Sequence, residues 1–191
     1  MDYELLRMGI IYIHLIACCI AVGSILVNDI SMVLHFWKGK DYIISKDHLE
    51  NLQSIITTCL TVLWCTGIVI LTIDWQDKGW HMFENPKLQA KLIVVTMLTL
   101  NGFVLHHITA PVMHKVGSLL HLHFWDKHVA VLVGSISGVT WMYAAFLGIA
   151  RALSWKYSLV EILATWPFLV VAGALFTHIL LDKVRAEEAN K

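Results

Sequence analysis

Leu52–Ile73 reads LQSIITTCLTVLWCTGIVILTI, a run of twenty-two residues with no charged side chain. A helix of roughly 20 apolar residues crosses about 30 Å of hydrocarbon, so this stretch alone predicts a transmembrane helix. Working outward, four further blocks have the same character: about Met8–Val27, Leu88–Ala110, Val129–Leu153 and Ser158–Leu181. The reading is therefore all-α, a single polytopic membrane bundle of about five helices. Composition agrees, because 58% hydrophobic residues, 15% charged residues and a mean hydropathy of +0.68 lie outside the range of soluble domains.

The first block reads as a spanning helix rather than a cleaved signal. Asp2 and Glu4 precede it against a single Arg7, and the apolar run passes through the lipoprotein-like Leu15-Ile16-Ala17-Cys18 to Val27. Fourteen basic residues balance fourteen acidic ones, so nothing points to nucleic acid or to a polybasic lipid patch. The cysteines, Cys18, Cys19, Cys59 and Cys65, lie inside predicted spans without CxxC spacing and read as small buried hydrophobes.

The connections are short: Trp37–Asn51, Asp74–Lys87, Pro111–His128 and a tight turn around Ser154–Tyr157. None can hold a soluble domain, so the chemistry must lie in the bilayer or at its rim. Arg7, Lys78, Lys87, Lys91, Arg151 and Lys156 fall on the side of the amino terminus. Lys38, Lys40, Lys46, Lys115, Lys127, Lys183, Arg185 and Lys191 fall on the other, so the balance favours a cytoplasmic carboxyl terminus by eight to six. The expected location is a bacterial inner membrane. Trp75, Trp80 and Phe83 read as interfacial anchors. Gly134-Ser135-Ile136-Ser137-Gly138 is a GxxxG stretch, which predicts close helix packing within the bundle or between two copies.

Ionisable groups inside spans are costly and need a reason. Of the eleven histidines, His14 lies two turns into the first span, His106 and His107 near the end of the third, and His178 near the end of the fifth. Lys91 and His106 are fifteen residues apart, roughly 22 Å along a helix. The pattern thus predicts two polar layers, with His14 and Lys91 in one and His106, His107, His128 and His178 in the other. Adjacent His106 and His107 should diverge by about 100°, which favours His106 as the inward one. Asp182, four residues after His178, is placed to orient its ring. His35, His48 and His81 read as surface residues, and His114, His121, His123 and His128 as solvated loop or interface residues. Asp29 and Glu161 read as helix-end residues.

Neutral imidazole is a good axial ligand for haem iron, and an apolar bundle suits the ring. No CxxCH motif occurs, so any haem would be non-covalent haem b. The leading expectation is one or two b-type haems with a redox or transmembrane electron-transfer role. His14, with Lys91, would serve one haem, and His106 or His107 with His178 the other. The second expectation is a metal-ion or small-solute transporter with a histidine-lined path. The expected partners are the lipid bilayer and a second copy or a redox protein.

Asn85-Pro86-Lys87-Leu88-Gln89-Ala90-Lys91-Leu92 opens the third span, and Leu98-Thr99-Leu100-Asn101-Gly102 follows within it. Together with Tyr12-Ile13-His14-Leu15-Ile16 and Thr66-Gly67, these segments resemble a superfamily of small bacterial membrane proteins. It includes haem-dependent membrane protoporphyrinogen oxidases and copper-resistance D-type proteins, and the resemblance covers roughly the first 110 residues. It implies haem binding, with His14 and Lys91 in the positions of the family's key histidine and lysine, and it implies an oxidoreductase. Ala17-Cys18-Cys19 departs from the family, which carries a tryptophan in that region.

Overall fold

The computed structural model describes residues 3–189, so Asp2 and Lys191, used above in weighing charge, lie outside it. Five helices are long and apolar enough to cross a membrane: α1 (Tyr3–Trp37), α2 (Lys46–Lys78), α3 (Pro86–Val116), α4 (Phe124–Ile149) and α5 (Leu159–Ala189). All overrun the apolar blocks read from sequence except α4, which stops at Ile149. The expected span to Leu153 is therefore shortened. Ala150 leaves the helical region (φ −71°, ψ 67°), and Arg151–Leu153 form a separate 3₁₀ turn.

Helix ends follow local chemistry. Ser45 caps α2 by accepting from the amide of His48, and Asn85 caps α3 by accepting from the amide of Lys87. Pro86 sits in the first turn of α3, where its missing N–H costs nothing. Ser158 and Glu161 bond each other's amides reciprocally at the start of α5, so Glu161 is a helix-end residue as read. Gly79 and Gly117 end α2 and α3 at positive φ.

Within α3, Leu105–Thr109 is π-helical. Pro111 follows it, lacking an N–H and carrying a ring that crowds the carbonyl four residues back, at His107. Widening the turn relieves that conflict.

The amino-terminal ends of α1, α3 and α5 define a near face, and the opposite ends a far face. α1 packs chiefly on α2, while α3, α4 and α5 pack on one another and α1 touches both α4 and α5. Three buried clusters stack along the bundle. Ala90, Val94, Tyr143, Leu147 and Ile162 lie near the near face, and Ala21, Ile25, Cys59, Leu98 and Trp141 lie in the middle. Phe36, Leu120, Val131, Leu180, Leu181 and Val184 lie towards the far face. Leu15, Ile20, Ile68, Leu100, Phe168 and Ile179 remain exposed on the outside, a surface suited to lipid and not to water. Among the described residues there is no strand, and one antiparallel bridge, Ile43 to Ser118, ties the two far-face loops together.

The GxxxG stretch serves contacts inside the bundle. Gly138 of α4 receives Asp29 of α1, and Ser135 lies against Gly173 of α5. Trp75, Trp80 and Phe83 touch in sequence on the near face, edge-on and tilted, with centroid separations of 5.3 and 5.6 Å.

Candidate functional site

In the near half of the bundle, His14 Nδ1 lies 2.7 Å from Thr66 Oγ1 of α2. The Thr66 hydroxyl has one proton and spends it on the carbonyl of Val62, 2.6 Å away. With that proton on the Val62 carbonyl, the hydroxyl accepts from His14 Nδ1–H and the Nε2 lone pair is free; with it turned to His14, the tautomer reverses. Gly67, the next residue of α2, lies against the ring. A side chain there would meet Cε1 at 3.8 Å, an ordinary contact. Lys91 of α3, itself half-buried, lies within electrostatic reach of His14. Nearer the surface, Arg7 closes the α1–α2 contact with a 2.9 Å ion pair to Asp74.

The middle and far half hold an open-sided cavity of about 1270 Å³ walled by residues of all five helices. Its walls are mostly apolar and aromatic, including Trp64, Phe103 and Phe146. Asp29, Gln53, His106 and His107 supply polar points. His106 and His107 both line it, with ring centroids 5.0 Å apart. The expectation that only one faces inward assumed a regular helix. The π-helical turn packs these residues at a smaller angle, so both rings reach the cavity. His107 also packs on Phe103, at 4.1 Å between centroids.

His178 takes a different partner from the one expected. Its Nε2 lies 3.1 Å from Nδ1 of His128 on α4, and no ring contact or hydrogen bond among the described residues joins it to His106 or His107. His128 is thus half-buried and bonded, a correction to its reading as a solvated residue. The reason is topological, because the start of α4 and the end of α5 meet at the far face. Asp182 is exposed, one turn beyond His178, and makes no hydrogen bond to it. His35, His48, His81, His121 and His123 are exposed as read, while His114 is half-buried.

The sequence therefore places His14 and Lys91 in one layer, which the structure keeps together, and a second layer that the structure divides. Three residues carry more than their sequence reading allowed. Thr66 fixes the His14 ring, His128 pairs with His178, and Asp29 lies two turns inside α1, not at its end. Thr66 had a signal, since Thr66-Gly67 stood out within an apolar run. His128 had one too, since counting residues puts it at the depth of His178, whereas Asp29 had none because its neighbour Gly138 is distant in sequence. Among the described residues no three His, Cys, Asp or Glu side chains converge as a metal-ion site.

The chain matches no family model, no curated protein and no solved structure.

Proposed function

We propose that this is a b-type haem protein of the membrane with a redox role, and that His14 provides the iron ligand beside Lys91. The observation that carries this reading is the 2.7 Å contact of His14 Nδ1 with Thr66 Oγ1, which holds one ring nitrogen and leaves Nε2 for iron in the tautomer protonated at Nδ1. An oriented neutral ring whose second nitrogen is held by a hydrogen-bonded neighbour is the donor that haem iron requires. Lys91 fits the same group, as a cation within reach of either a propionate or the charge on the iron.

A bound b-type haem supplies a one-electron couple. The chain's own part is to hold one ligand and to exclude water. Thr66 keeps Nδ1 protonated and the ring oriented. Lys91 sets the local charge, and the exposed apolar faces of α1 and α2 keep the site in lipid. The reading is for one haem per chain, because His178 is bonded to His128 and leaves His106 and His107 without an imidazole opposite. The electron donor or acceptor would be a second membrane protein or a second copy of the chain. The test is optical: detergent-purified protein, given haem during expression, should show a b-type Soret band and reduced α band. A colourless protein overturns the reading.

The cavity favours a second reading, passage of a small solute past His106 and His107. Solute flux into vesicles carrying the protein, absent from vesicles without it, is the observation that supports it.

A further inference from the structure

We infer that the central cavity is a binding site for an amphipathic organic cation, a site distinct from His14 and independent of the haem reading. Asp29 lies on its wall, and no Lys, Arg or His among the described residues pairs with its carboxylate within 4 Å. A carboxylate within a membrane helix is expensive to ionise without a counter-charge, so it is retained where a cation comes to it.

The structure makes room for that carboxylate. A methyl group at position 138 would lie 2.9 Å from Asp29 Oδ2, closer than carbon and oxygen can approach. Gly138 is therefore the residue that lets Asp29 sit against α4, and half of the GxxxG stretch is explained by this one side chain. On the α2 wall of the cavity, the Gln53 amide nitrogen is buried and has no hydrogen-bond partner, which leaves a donor for a ligand acceptor.

The rest of the wall sets the ligand's shape. Trp64, Phe103 and Phe146 present aromatic surface, which attracts both apolar groups and cationic centres. A volume of about 1270 Å³ is much larger than a hydrated metal ion needs and matches a drug-sized organic molecule. One negative point, one free donor and aromatic walls together select a bulky apolar cation carrying an acceptor atom.

Tetraphenylphosphonium and tetraphenylborate are the decisive pair of probes, because they share a shape and differ in charge. Equilibrium dialysis of the detergent-solubilised full chain, corrected with empty micelles, should show saturable binding of the cation and none of the anion. Asp29→Asn should weaken cation binding by about tenfold or more, as for loss of a charged contact. Asp29→Glu should retain most of it. Equal binding of the two probes would mean partition into apolar space and would overturn the assignment, as would unchanged binding by Asp29→Asn. Should Asp29→Asn not fold, the cation–anion comparison on the unaltered chain decides alone.

Discussion

The Nδ1 of His14 and the hydroxyl of Thr66 lie 2.7 Å apart across the α1–α2 contact. With the Thr66 proton on its own helix at Val62, the hydroxyl accepts from His14. A backbone carbonyl one turn away thus decides which ring nitrogen of His14 is free. The candidate ligand is prepared by α2 before any ligand arrives.

Thr66→Val keeps the shape of the side chain and removes the acceptor. Loss of a group that orients a ligand typically costs 10–100-fold in affinity, so haem affinity should fall within about that range. Haem titration of the apoprotein, followed at the Soret band, measures it. Thr66→Ser should restore binding. An unchanged affinity in Thr66→Val would remove Thr66 from the site.

Lys91→Met removes a positive charge near His14. A nearby cation favours the less positive, reduced iron, so the midpoint potential should move downward in this variant and stay near the original in Lys91→Arg. Spectroelectrochemistry reads the shift. A merely structural lysine would alter stability and leave the potential where it was.

His178→Ala should leave the haem count unchanged, because His178 is bonded to His128 and not to the His14 site. It should also lower the thermal midpoint, since His128 loses its partner at a cost of about 1 kcal/mol. Loss of all haem from this variant, with the fold intact, would return the ligand role to the far face.

Tyr143→Phe tests the α4–α5 contact. The buried Tyr143 hydroxyl donates to the carbonyl of Ile162, five residues before Pro167. Deleting the hydroxyl should cost about 1–1.5 kcal/mol, seen as a lower unfolding midpoint in detergent.

The five helices were legible because span length and apolar runs are local properties. Leu52–Ile73 could hardly be anything else. The His14–Lys91 layer was legible for a related reason, since depth along a helix follows from counting residues. What sequence could not give was which helix faces which. His178 was assigned by depth to His106 or His107, yet a residue at the same depth on a neighbouring helix, His128, took it. His106 and His107 were assigned by the 100° rule, which fails where Pro111 forces a π turn. Asp29 read as a helix end because the apolar run stops at Val27. α1 continues to Trp37, which carries Asp29 inside the bundle and against Gly138.

The most direct measurement is a haem count per chain by pyridine haemochrome, on the unaltered protein and on His14→Ala purified identically. The account predicts one haem b per chain in the first and almost none in the second, with both still folded. Equal haem in the two proteins, or none in either after haem is supplied, would contradict it.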